Sequence, residues 1–208
     1  MNLRGLYAIT DRSLLAGKLL ESVEAVLRGG AIVVQYRDKS TDTVRRTAEA
    51  SALLALCQKY GCPLLINDDV ELAALIGADG VHLGQTDDSL LAARQRLGPK
   101  AIIGATCHDS LDFAAAAAAA GADYLAFGAF YASSTKPLAA LARLDTLRAA
   151  RDRFHLPIVA IGGITADNAV PLLAAGAGAV AVIADLWLTA DIEARARTYQ
   201  TLFASPQA

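Results

Sequence analysis

Leu64-Leu65-Ile66-Asn67-Asp68-Asp69-Val70-Glu71-Leu72-Ala73-Ala74-Leu75-Ile76-Gly77-Ala78-Asp79-Gly80-Val81-His82-Leu83 holds one full repeat of this chain's architecture. An apolar run, 64–67, passes into Asp68 and Asp69. Asp69 is placed to cap the helix that follows, Gly77 stands at that helix's end, and a second apolar run, 80–83, begins three residues later. Short runs with no polar alternation suit strands buried on both faces. Two of them joined by a helix and a brief return make a parallel crossover.

The same unit recurs in both directions. Strand-like runs fall at 6–10, 32–36, 64–67, 80–83, 101–105, 124–128, 158–161 and 179–183, eight in all, with amphipathic or alanine-rich stretches between them. This alternation predicts an α/β fold, a single (β/α)8 TIM barrel occupying residues 1–208 as one domain. Ser13 and Thr41 can cap helix starts, and Gly29, Gly61, Gly77, Gly98, Gly121 and Gly176 stand at or near helix ends. A Gly-Ala-Asp or Gly-Ala-Gly phrase precedes the runs that follow Gly77, Gly121 and Gly176. The seven consecutive alanines before Gly121 suit a helix packed close to a strand and carry no chemistry.

Composition narrows the function. At 208 residues one hydrophobic core can still grow without splitting. The hydrophobic fraction is 54% and the mean hydropathy +0.37, much of it alanine. The longest uncharged run, 168–184, is broken by Pro171, Gly176 and Gly178 and falls short of the roughly 18 apolar residues of a membrane span. No signal-peptide pattern opens the chain, so a cytoplasmic location is expected. A net charge of −2 provides no basic field for nucleic acid or an anionic membrane. Cys57, Cys62 and Cys107 have neither disulfide nor zinc spacing and read as reduced and structural.

Polar residues just past each run are the candidates for a site, because barrels of this kind work at the C-terminal ends of their strands. Gln35, Arg37 and Lys39 alternate, and so face one side of an extended segment. Asn67-Asp68-Asp69 follows the third run, Gln85-Thr86-Asp87 the fourth, Thr106-Cys107-His108 the fifth and Ser133-Ser134-Thr135-Lys136 the sixth. Gly162-Gly163 follows the seventh, and the eighth leads into Ile183-Ala184-Asp185. Taken singly these are solvated cations, helix caps and tight turns. Taken together they read as an anion site. Gly162-Gly163 beside Ala184 can cradle a phosphate on backbone N–H groups. The Ser-Ser-Thr-Lys loop offers hydroxyls and a cation to a second anionic group. Asp68 and Asp87, on adjacent strands, can share one Mg²⁺. His82, His108 and His155 read as structural, with His82 able to orient a neighbour and His108 able to face the site. Tyr131 and Trp187 read as packing or loop anchors, and no Ser-His-Asp or Cys-His set is present.

At these residues the sequence resembles the thiamine-phosphate synthase family over nearly its whole length. The matching parts are Tyr7-Ala8-Ile9-Thr10-Asp11, Gln35-Tyr36-Arg37-Asp38-Lys39, the Ile-Asn-Asp-Asp from Ile66, the stretch 79–87, Ser134-Thr135-Lys136 and the Ala-Ile-Gly-Gly-Ile from Ala160. The resemblance implies condensation of hydroxymethylpyrimidine diphosphate with thiazole phosphate, giving thiamine phosphate and pyrophosphate with Mg²⁺. It implies that Gln35, Arg37, Lys39, Asn67, Thr106 and Lys136 hold the pyrimidine diphosphate, with Arg37, Lys39 and Lys136 catalytic. By the same resemblance Asp68 and Asp87 hold the metal, and Ser133, Ser134, Thr135, Gly163, Ile183 and Ala184 hold the thiazole phosphate. Thr106 and Ala184 stand where serine is common in the family, and Ala132-Ser133 replaces a common Pro-Thr. The partners implied are these phosphorylated small molecules, and the oligomeric state, a homodimer included, stays open. A thiazole tautomerase of the same superfamily and a non-catalytic phosphate-binding barrel are the alternatives.

Overall fold

A computed structural model describes residues 3–84, 89–132 and 140–204. Eight parallel strands close on themselves in chain order: β1 (Gly5–Ile9), β2 (Val33–Tyr36), β3 (Leu64–Asn67), β4 (Gly80–Leu83), β5 (Ile102–His108), β6 (Tyr124–Phe127), β7 (Ile158–Ile161) and β8 (Ala179–Val182). Closure is made by β1, where Tyr7 stands beside Val33 on one side and Ala181 on the other. The helices described are α1 (Arg12–Leu15), α2 (Leu19–Arg28), α3 (Thr43–Lys59), α4 (Val70–Ile76), α5 (Leu90–Leu97), α6 (Leu111–Ala119), α7 (Leu144–Arg153), α8 (Val170–Ala174), α9 (Ala184–Trp187) and α10 (Ile192–Ala204). The expected (β/α)8 barrel is therefore the fold.

Alternation along each strand divides the core in two. Tyr7, Ile9, Val33, Leu65, Tyr124, Ala126, Val159, Ala179 and Ala181 fill the barrel. Leu6, Val34, Ile66, Val81, Ile103, Leu125 and Val180 point outward into the helical layer. The strands are thus buried on both faces and apolar on most of them, the polar exceptions inside the barrel including Gln35, His82 and Thr106, which is why the runs read as nearly continuous. In the Gly-Ala-Asp phrase the aspartate ties one strand to its neighbour. Asp79 Oδ2 accepts the N–H of Leu64 at 2.8 Å, and Asp123 Oδ2 that of Ile103 at 2.7 Å.

Local chemistry departs from expectation at two helix starts and one strand. Asp11, in extended geometry, caps α1 through the N–H of Ser13, so Ser13 is the capped residue. Asp42 caps α3 through the N–H of Arg45, in place of Thr41. In both cases a carboxylate stands where its oxygen reaches the unpaired N–H groups of the first turn. Asp69 caps α4 as expected. Strand β5 runs on through Thr106, Cys107 and His108 with a register shift. Thr106 does not end it, because its hydroxyl finds a partner inside the barrel. The three thiols are free and buried, and burial pushes each up to about 12, which suits the structural reading. Among the described residues no helix is long and apolar enough to cross a membrane.

Gly104 makes room at the barrel's centre. A Cβ there would lie 2.0 Å from Cζ and 2.2 Å from Oη of Tyr124. Gly104→Ala is expected to destabilise by roughly 1–3 kcal/mol or more, the usual range for overpacking. For a chain of this size that is a Tm fall of roughly 2–12 °C in a calorimetric scan, and an unchanged Tm would mean that Tyr124 moves aside freely.

Candidate active site

Among the described residues, two groups of strand ends stand out at the mouth of the barrel. In the first, β1 and β2 are stitched by Thr10, whose N–H donates to Gln35 O at 2.9 Å and whose Oγ1 accepts the N–H of Arg37 at 2.9 Å. The Arg37 guanidinium lies 3.5 Å from Asp11 Oδ2. Gln35 itself is buried inside the barrel. Beyond Tyr36 the strand ends, and Asp38 makes a tight turn by accepting the N–H of Ser40 at 2.8 Å. Its carboxylate is buried beside Arg45 on α3, with 2.6 Å between charged atoms. Burial opposes ionisation of Asp38, but the Ser40 N–H and the Arg45 guanidinium outweigh it and hold the carboxyl below its usual range. Lys39 is thus carried on a braced turn rather than on the strand.

The end of β3 completes this half. Asp68 has left-handed backbone (φ 63), a conformation that Asp and Asn tolerate better than most residues. Its Oδ2 accepts from Asn67 Nδ2 at 2.6 Å and lies 3.6 Å from Lys39 Nζ, and its N–H donates to His82 O at 2.9 Å. Arg46 bonds Asp69 Oδ2 at 2.7 Å. Lys39, Arg46, Asn67 and Asp68 line a cavity of about 360 Å³. The expected alternation of Gln35, Arg37 and Lys39 therefore breaks at the Asp38 turn, yet Lys39 still reaches Asp68.

The second group lies across β7 and β8, where a cavity of about 580 Å³ is lined by Gly162, Gly163, Ile183, Ala184, Thr189 and Arg195 among others. Gly163 has φ 62, and a Cβ on it would sit 2.5 Å from Ala132 O and 2.7 Å from Tyr131 O. Asn168 holds this turn at both ends. Its Oδ1 accepts the N–H of Thr165 at 2.8 Å and its Nδ2 donates to Gly163 O at 3.0 Å. Ala184 opens α9, so its N–H has no partner within the helix. The helix is pinned under β1 by Trp187 Nε1 donating to Ile9 O at 2.7 Å. Trp187 is thus the packing anchor expected of it, and Tyr131 an anchor through its hydroxyl, which donates to Asn168 O at 2.8 Å. Asn168→Ala is expected to raise roughly tenfold the Kd of inorganic phosphate, used as a probe of this cavity, through the loss of one or two net hydrogen bonds that orient the turn. Titration of the variant by calorimetry would show it, and an unchanged affinity would remove Asn168 from the site.

His82, within the fourth run, and Thr106, expected just past the fifth, both point into the barrel, where His82 Nε2 lies 2.9 Å from Thr106 Oγ1. His108, exposed at the end of β5, packs edge-on against Phe113 at 6.4 Å. Asp87, Ser133, Ser134, Thr135 and Lys136 lie outside the described residues. Thr10, Asp11, Arg46 and Asn168 went unassigned in the sequence. The tyrosines of Tyr7-Ala8-Ile9 and Gly-Ala-Asp-Tyr, both inside the barrel, offered a signal of their own, a hydroxyl within a mostly apolar run.

Among the described residues no group of three or more His, Cys, Asp or Glu side chains could hold a metal ion. Asp68 nevertheless has the chemistry that Mg²⁺ takes, while Asp87 lies outside the described residues. Asp68 is a hard, partly exposed carboxylate, and Mg²⁺ typically takes one or two carboxylates with the remaining ligands from phosphate and water.

Comparison with known proteins gives the same fold and a family. The chain is similar to a thiamine phosphate pyrophosphorylase from Pyrococcus furiosus, with 34% identity and a TM-score of 0.88 over 97% of this chain and 96% of that one. It shares its fold with a thiamine phosphate pyrophosphorylase from Bacteroides thetaiotaomicron at 17% identity, TM-score 0.71, over 95% of this chain and 96% of that one. It also shares it with (S)-3-O-geranylgeranylglyceryl phosphate synthase from Thermoplasma acidophilum at 15% identity, TM-score 0.73, over 97% and 94%. The thiamine monophosphate synthase family matches residues 6–186. With most of its length matched and its strand ends carrying the polar groups described, this chain belongs to the thiamine monophosphate synthase family and is a transferase.

Proposed function

We propose that the chain, working as one domain, joins hydroxymethylpyrimidine diphosphate to thiazole phosphate and releases pyrophosphate, with Mg²⁺ required. The observation that carries this reading is the separation of two anion-suited regions at one barrel mouth. Lys39, Asn67 and Asp68 gather at the end of β3, Arg37 stands beside Asp11 at the end of β2, and Gly163 and Ala184 line the cavity at β7 and β8.

In the reaction the bond between the pyrimidine methylene carbon and the diphosphate oxygen breaks, and its electron pair leaves with the oxygen. The ring-stabilised cation that remains accepts the lone pair of the thiazole nitrogen. Such a step needs charge stabilisation and alignment rather than a proton shuttle. Arg37 and Lys39, with Lys136, neutralise the leaving diphosphate, and Gln35, Asn67 and Thr106 orient the pyrimidine. Gly163, Ile183 and Ala184, with Ser133, Ser134 and Thr135, anchor the thiazole phosphate. Ala184 has no hydroxyl and contributes its N–H. Asp68 and Asp87 are the residues to hold Mg²⁺, which when bound supplies positive charge to diphosphate oxygens.

Mixing both substrates with Mg²⁺ and measuring pyrophosphate tests the reading. A synthase releases it only when both substrates and metal are present. A tautomerase aromatises a thiazole without Mg²⁺, and a binding module does neither. Asp87→Ala and Lys136→Ala are each expected to abolish most turnover with the fold intact by circular dichroism. Unchanged release in a folded variant removes that residue from its role.

A further inference from the structure

A continuous chain of hydrogen bonds, buried as far as His82 and part-buried at Thr106, crosses the inside of the barrel. Gln35 Nε2 donates to Tyr7 Oη at 2.6 Å, and Tyr7 Oη lies 2.8 Å from Tyr124 Oη. Tyr124 Oη lies 2.8 Å from His82 Nδ1, and His82 Nε2 lies 2.9 Å from Thr106 Oγ1. The rings support the path, with Tyr7 edge-on to Tyr124 and His82 stacked on Tyr124. Gln35, Tyr7 and Tyr124 are each at most 2% exposed. Burial pushes both phenols well above their ordinary pKa, so each carries its proton and has one O–H to donate.

A chain of single donors has a direction. With the Gln35 amide nitrogen donating to Tyr7, Tyr7 donates to Tyr124, and Tyr124 to His82 Nδ1. The imidazole proton then sits on Nε2 and points at Thr106 Oγ1. If the amide turns over, every donor reverses and the proton moves to Nδ1. The orientation of Gln35 and the tautomer of His82 are therefore one variable, although they lie on different strands.

We infer that Tyr7 and Tyr124 are positioning residues that relay this direction, coupling a Gln35 that keeps its carbonyl oxygen for the ligand to a His82 in the Nε2–H tautomer. The ligand chemistry selected is an N–H donor at Gln35, as on an aminopyrimidine, and this part rests on the function proposed above. The two tyrosines thereby act on specificity from beneath the site, through Gln35 and His82.

The decisive measurement is long-range ¹⁵N NMR of the His82 ring in the ligand-free protein, which needs no substrate. Wild type is expected to show the Nε2–H tautomer alone. Gln35→Glu, which can only accept when ionised, is expected to turn the chain around and convert His82 to Nδ1–H. Tyr7→Phe and Tyr124→Phe are expected to uncouple the ends, so that adding Gln35→Glu to either no longer moves the tautomer. In the two-substrate assay each Phe variant is expected to raise KM for the pyrimidine diphosphate roughly tenfold, the loss of a correctly polarised hydrogen bond, with KM for the thiazole phosphate within about twofold of wild type. If one Phe variant fails to fold, the other and Gln35→Glu carry the test. An Nδ1–H tautomer in wild type, or a His82 tautomer indifferent to Gln35→Glu, overturns the inference. A correct tautomer response with no turnover of either substrate leaves the chain standing and instead sinks the proposed reaction.

Discussion

Asp68→Asn is expected to lower kcat roughly 10²–10³-fold, about 3–4 kcal/mol of transition-state stabilisation, the scale on which one preorganised electrostatic group acts. The substitution is chosen for its shape. Asn tolerates the left-handed backbone that residue 68 adopts and retains an oxygen for Asn67, so only the charge is removed. Lys39 loses its 3.6 Å partner, a mostly exposed pair whose contribution to stability is small. Thermal stability should therefore stay close to wild type while the dependence on Mg²⁺ weakens. The measurement is pyrophosphate release against Mg²⁺ concentration with both substrates saturating. Turnover within twofold of wild type across that titration would show that Asp68 neither holds the metal nor faces the leaving group.

Gly163→Val is expected to raise KM for thiazole phosphate by roughly 100-fold or more, since two hydrogen bonds to a charged group at about 1.5 kcal/mol each are at stake. The cause is steric and conformational together. A β-branched residue at φ 62 is strained, and its Cβ would press on the carbonyl oxygens of Tyr131 and Ala132. The turn must then shift away from Asn168 and carry its N–H groups out of line. Binding of the pyrimidine diphosphate, at the other side of the mouth, should persist, which distinguishes loss of the cradle from loss of the fold. Unaltered binding of thiazole phosphate by calorimetry would place that phosphate elsewhere.

Much of this protein could be read from its residues in order. The strands announce themselves because a parallel barrel buries both of their faces, leaving apolar runs such as 64–67 and 158–161 with no alternation to confuse them. The polar residues past those runs were recognisable because a barrel gathers strand ends at one rim. Asp69 as a cap and Gly163 at a turn followed from local backbone chemistry alone.

Other features depend on which residues meet across the barrel. Thr106 looked like the first residue after a strand but lies within one, since its hydroxyl is satisfied by a histidine 24 positions away. Asp11 and Asn168 acquire their roles by contact with Arg37 and with the Gly163 turn. A sequence states which groups can donate or accept, and so it determined this barrel and the ring of polar residues at its mouth. Which donor faces which acceptor depends on distances of a few ångströms between separate strands, so only the closed tertiary structure decided how Tyr7, Tyr124 and His82 are joined beneath that ring.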